Sequence, residues 1–150
     1  MKNDGNWSAA RVAAAGAAGG AAEVVWIGLA AAVLGVDGAR VAQEVTTTVL
    51  PASQVTGEAW LGLGIHFLLS LALAAAFAPV LAGRLRGAAL VAAATGGLGV
   101  VWAFNFFVLL PALNPAFTAL LPLPVTLASK LLFGLAMGVV LAYPPRTPDR

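Results

Sequence analysis

The sequence predicts an all-α fold, an integral membrane four-helix bundle, on three observations. Hydrophobic residues make up 61% of the 150-residue chain and charged ones only 9%. A soluble domain carries about 25% charged residues, so the bilayer must be the solvent here. Four apolar stretches reach the roughly 20 residues that a helix needs to cross the hydrocarbon core. The basic residues between and beyond those stretches fall unevenly on the two sides. Residues 1–150 read as a single transmembrane domain, with mean hydropathy +0.94.

The first span covers about residues 9–36. Lys2 and Ala-x-Ala triplets give it some look of a secretory signal. Its apolar run exceeds the roughly 7–15 residues of a signal core and contains Glu23, so it is counted as a span. Residues 37–57 form a long connection containing Val41-Ala-Gln-Glu-Val-Thr-Thr-Thr-Val-Leu-Pro51. This mixed, β-branched stretch predicts an outer interfacial or partly re-entrant segment, ended by Pro51 and packed on the bundle around Gln43 and Glu44. The second span covers about 60–82 and the third about 88–110. Residues 111–124 carry Pro111, Pro115, Pro122 and Pro124; so many prolines exclude regular helix, and the apolar segment is expected to cap the bundle. The fourth span covers about 125–143.

In this arrangement Lys2, Arg11, Arg84, Arg86, Arg146 and Arg150 share one side, Arg40 stands on the other, and Lys130 lies within a span. The positive-inside rule then places both termini in the cytoplasm. Trp7, Trp60 and Tyr143, near span ends, read as interfacial anchors, whereas Trp26 and Trp102 lie deeper.

A duplication is faintly written in the chain. Gly19-Gly-Ala-Ala-Glu-Val-Val-Trp26 resembles Gly96-Gly-Leu-Gly-Val-Val-Trp102 with one gap, and His66-Phe-Leu-Leu-Ser-Leu-Ala72 aligns on Lys130-Leu-Leu-Phe-Gly-Leu-Ala136. The order of the matches predicts two parallel repeated helical hairpins. Chance likeness among Ala/Leu/Gly-rich spans is the alternative.

Ionisable and amide groups inside spans are expensive, and they face protein or water. The candidates are Glu23, His66, Asn105 and Lys130, with Glu44 outside the spans. Gly16, Gly20 and Glu23 lie along one face of the first span. Gly62, His66 and Ser70 mark a face of the second, and Thr126, Lys130, Gly134 and Gly138 one of the fourth. Such small-residue faces let helices approach closely, so these polar groups are expected within the packed bundle. Lys130 is expected in a cluster with His66, completed by Asn105 or Glu23. The helical rise puts Glu23 about 10 Å deeper than Lys130, so a water bridge is expected between those two. Snorkelling of Lys130 to the outer interface is the competing reading.

The chain excludes much chemistry. With no cysteine and one histidine, disulfides, iron–sulfur clusters and an ordinary zinc site are out, and no metal site is expected. The scattered basic residues do not make a nucleic-acid face. No nucleotide loop, nucleophile elbow or His-Glu-x-x-His pattern occurs. An enzyme would have to work with machinery as sparse as Glu44 and His66, which favours a non-enzymatic role, and any cofactor is unknown.

Asn105-Phe-Phe-Val-Leu-Leu-Pro-Ala-Leu-Asn-Pro-Ala-Phe117 and Ser129-Lys-Leu-Leu-Phe-Gly134 resemble segments of small, uncharacterised four-span bacterial inner-membrane proteins. The resemblance implies the fold and brings no activity with it. Three roles are compatible with the residues. The first expectation is an accessory or structural subunit, with other membrane subunits or further copies of itself as partners in the bilayer. The second is a small oligomeric transporter or channel with a polar path through Glu23, His66 and Lys130. The third is binding of haem, quinone or lipid near His66, which could supply one axial ligand.

Overall fold

The computed structural model describes residues 8–50, 58–81 and 84–143; Lys2, Trp7, Pro51, Ala82, Arg146 and Arg150 lie outside them. The described residues are helical throughout apart from short turns: α1 Ala9–Leu34, α2 Gly38–Val49, α3 Ala59–Leu81, α4 Gly87–Phe104, α5 Leu110–Leu113, α6 Pro115–Thr118 and α7 Leu123–Ala142. A π-helical turn, Asn105–Leu109, joins α4 to α5. Four helical stretches are long and apolar enough to cross a membrane: α1, α3, Gly87–Leu113 and α7. The protein is an all-α membrane bundle.

Local chemistry sets the helix ends. The Ser8 hydroxyl accepts from the Arg11 amide and caps α1. Its other end is Gly35 in the left-handed region (φ 70°), with the Val36 amide reaching back to the Ala31 carbonyl at 2.9 Å. That is the glycine-terminated cap that stops a helix two residues before the apolar run ends. Asp37 caps α2 by accepting from the Ala39 amide at 2.9 Å. Pro124 falls in the first turn of α7, where an N–H would have no partner anyway.

One expectation is met and another needs correction. The expected interfacial segment around Gln43 and Glu44 is an amphipathic helix, α2, with Val41 and Thr46 on its buried side. It packs on the bundle as expected, against the start of α3. The third span, however, runs past Leu110 to Leu113. In the π-turn the Leu110 amide bonds to Asn105, so the register is already shifted when Pro111, which has no N–H, enters the helix.

We call the end formed by Ala9, Leu81, Gly87 and Ala142 proximal and the opposite end distal. α1 with α3, and α4 with α7, form two antiparallel hairpins that both enter from the proximal end, so the hairpins are parallel to each other. They dock chiefly through α1 against α7, while α3 and α4 touch sparsely. The core of the proximal half includes Ala15, Leu81, Leu90, Leu98, Phe133 and Met137.

Glycines set the close approaches. A Cβ on Gly134 would lie 2.7 Å from the Thr95 Cα, and one on Gly62 only 1.8 Å from the Ala42 carbonyl oxygen. The expected small-residue faces are therefore real packing faces, but each is divided between neighbours. Gly16 and Gly20 meet α3, whereas Glu23 of the same face meets Lys130 of α7.

Candidate functional site: an ion pair within the spans

The α1–α7 seam holds four rungs in antiparallel register. From the proximal end, the Arg11 guanidinium donates to the carbonyls of Val140 (3.1 Å) and Leu141. These are last-turn carbonyls, and the residues four positions on, Pro144 and Pro145, have no N–H to offer them; a cation at a helix C-terminus also opposes its dipole. Next, Gly19 lies under the Phe133 ring. Then the Lys130 ammonium donates to Glu23 Oε2 at 2.7 Å. Finally the Trp26 indole N–H donates to the Val125 carbonyl at 2.9 Å. Trp102 reaches the same turn of α7 from the other side, donating to Thr126 Oγ1 at 3.0 Å. Its ring stacks on Phe106 at 5.6 Å.

At the centre of this ladder is the Glu23–Lys130 pair. Glu23 is buried, at 8% exposure. The Ser129 hydroxyl shares its one proton between Glu23 Oε1 at 3.3 Å and the Thr126 carbonyl at 2.7 Å. The shorter leg is the stronger, so Lys130 is the main partner of the carboxylate. The ammonium also lies 5.5 Å from the Phe133 ring centroid, within cation–π reach. Two of its three N–H groups find no acceptor among the described residues. The side chain retains 15% exposure against 11% for Glu23.

This geometry replaces the expected water bridge with direct contact. The depth estimate compares each residue with the end of its own span, but those ends are not level. Trp26 already faces Val125, so the last two turns of α1 overhang the start of α7. Counted from the level of that rung, Glu23 and Lys130 differ by only about 3 Å of helical rise, well within a lysine stem.

The other candidates lie elsewhere. His66 makes no hydrogen bond with Lys130; its Nε2 is 3.2 Å from the Gly20 carbonyl. A carbonyl only accepts, so Nε2 carries the proton in this contact. α1 stands between the two, taking His66 on its α3 side and Lys130 on its α7 side. Asn105 heads the π-turn, half-buried, without a side-chain hydrogen bond among the described residues. Glu44 lies at the distal end, where its Oε2 accepts from Asn114 Nδ2 at 2.9 Å. Among the described residues no group of His, Cys, Asp and Glu side chains could hold a metal.

Sequence reasoning passes over Arg11, Ser129 and Asn114. Arg11 enters it for topology alone, although the helix end opposite it has carbonyls to satisfy. Asn114 carries a signal, because asparagine before a proline starts a helix.

Fold and site together define a class: a polytopic α-helical membrane protein with a Lys–Glu pair fastening two helical hairpins. Comparison with protein-family models, curated proteins and solved structures finds no match to this chain.

Proposed function

We propose that the protein is an accessory or structural subunit of a larger membrane assembly, seated in a bacterial inner membrane with both termini cytoplasmic. One observation carries this reading. Among the described residues no buried side-chain nitrogen or oxygen lacks a hydrogen-bond partner. The polar groups thus act as ties between helices of one chain, and what the bundle turns outward is helical apolar surface, including Leu29, Leu68, Val100 and Phe107. Extraction into lipid nanodiscs without stripping detergent, followed by native mass measurement, tests it. A stoichiometric foreign membrane subunit is expected; a homo-oligomer alone would overturn it.

A second reading, a small transporter or channel, is favoured by the two N–H groups of Lys130 that find no acceptor among the described residues and could donate to a solute oxygen beside the ion pair. Solute flux in proteoliposomes, lost on Lys130→Met with the fold retained, would establish it over the first. Haem ligation by His66 is disfavoured, because ligation through Nε2 would break its bond to Gly20.

The topology rests on the five-to-one division of basic residues outside the spans, to which Arg11, in the first turn of α1, adds on the majority side. Single cysteines at Gln43 and Arg84 report it on a chain that has none of its own. With a membrane-impermeant maleimide on intact cells, Gln43→Cys should label and Arg84→Cys should not. The reverse pattern would invert the orientation.

A further inference from the structure

The seam between α3 and α4 is crossed at its proximal third by Phe77, whose ring fills the space beside Gly97. Beyond that, among the described residues, the hairpins are joined on this side near the distal end, where α2 meets the turn between α5 and α6. Asn114 makes that join. Its Nδ2 has four oxygens of α2 around it: Glu44 Oε2 at 2.9 Å, Thr48 Oγ1 at 3.1 Å, Thr47 Oγ1 at 3.3 Å and the Glu44 carbonyl at 3.4 Å. The two threonine hydroxyls donate their own protons to Glu44, which leaves their lone pairs for the amide. On its other side Asn114 Oδ1 caps α6 by accepting from the Phe117 amide at 3.3 Å. This arrangement fixes which end of the amide is nitrogen. Beside the join, a hollow separates the two hairpins, with Asp37 and Arg40 on one wall and Ala116 and Ala119 on the other.

We propose that Asn114 is the latch of a distal strap. α2 belongs to the first hairpin and is fastened to the second by one side-chain amide. When the amide leaves its acceptors, the hairpins part on the α3–α4 side and turn about the α1–α7 ladder. The device is independent of whether the protein is a subunit or a transporter. Three features carry it. Among the described residues every hydrogen bond from the second hairpin to α2 comes from the Asn114 amide, so the join depends on one donor. The α3–α4 seam offers little packing to replace it. The α1–α7 seam is continuous from Arg11 to Trp26 and can act as the axis.

The test uses the full chain in phosphatidylethanolamine/phosphatidylglycerol nanodiscs, with spin labels on Arg40→Cys and Ala119→Cys across the hollow. Arg40 makes no side-chain hydrogen bond among the described residues and Ala119 is exposed, so labels there leave the latch intact. Asn114→Asp keeps the cap on α6 but removes the donor and sets a carboxylate against Glu44. It should raise the longer-distance population on the order of tenfold, the loss of a hydrogen bond to a charged group. Adding Glu44→Gln supplies a new amide donor facing the carboxylate introduced at position 114 and should restore the short distance. Glu44→Gln alone retains an acceptor and should stay closed. An unchanged distance in Asn114→Asp, with helicity intact by circular dichroism, would overturn the latch. So would failure of the double substitution to close it again. Should Asn114→Asp not fold, Asn114→Ser keeps a capping oxygen for α6, removes the amide donor and adds no charge, and must open the strap for the proposal to stand.

Discussion

A lysine in the middle of a span is tolerated only with a partner, water or a route to the interface. At Lys130 the partner is Glu23, and each makes the other tolerable. Burying a charge pair is at best a modest source of stability, but breaking it leaves one charge stranded. Lys130→Met should therefore destabilise the bundle by about 3 kcal/mol. Glu23→Gln added to it should recover part of that loss, with a coupling energy of at least about 1 kcal/mol. Unfolding in mixed micelles by added dodecyl sulfate measures the four corners of the cycle, and additive effects would mean that the contact is not energetically coupled. The sequence made Glu23 and Lys130 legible as costly residues on packed faces. Their direct pairing was not legible, because it depends on how far α1 overhangs α7, a tertiary register that span lengths do not encode. For His66 the face was right and the neighbour wrong. A face periodicity shows that a residue is packed, and it cannot say which of two flanking helices it meets.

Among the elements, the four spans were readable because length and hydropathy alone decide them. α2 was legible as an interfacial segment, and it is helical in spite of its β-branched Thr46, Thr47 and Thr48 because its Val41 side is buried on α3. The misjudged piece is Pro111, which reads as a stop, yet the π-turn absorbs it. Glycine roles follow the same logic of context, and they can be separated by experiment. Gly134 lies against the α4 backbone, so Gly134→Ala must push α4 from α7 and should cost about 1–3 kcal/mol. Gly28 has nothing within 4 Å of an added Cβ. Gly28→Ala should then be neutral or stabilising by up to about 1 kcal/mol through helix propensity. Thermal aggregation midpoints in detergent would place Gly134→Ala below the parent and Gly28→Ala level with it or above. If both fell together, the close α4–α7 approach would be wrong.

For the molecule as a whole, the repeat in the sequence corresponds to two parallel hairpins that meet unequally. A strict twofold would make α3–α4 as intimate as α1–α7, and it is not. The inequality follows from residues that differ between the copies. Arg11 and Glu23 of α1, which have no counterpart in α4, find partners on α7; Trp26 has a counterpart in Trp102, but that indole bonds to α7 within its own hairpin. Along the α3–α4 seam the described residues show no comparable ladder, and the side chain that fills it is Phe77. Helices in lipid associate through packing and polar ties, since the apolar solvent gives no hydrophobic drive between them. The α1–α7 ladder should therefore suffice to assemble the halves when the chain is cut between Leu81 and Arg84. Fragments 1–83 and 84–150, co-expressed with an affinity tag on one, should co-purify from mild detergent. Lys130→Met in the second fragment should reduce the recovered partner several-fold, since roughly 1.4 kcal/mol corresponds to a tenfold change in association. Asn114→Asp should reduce it less, because the strap crosses the seam that contributes least. Equal loss from both substitutions would shift the main attachment from the ladder to the distal end.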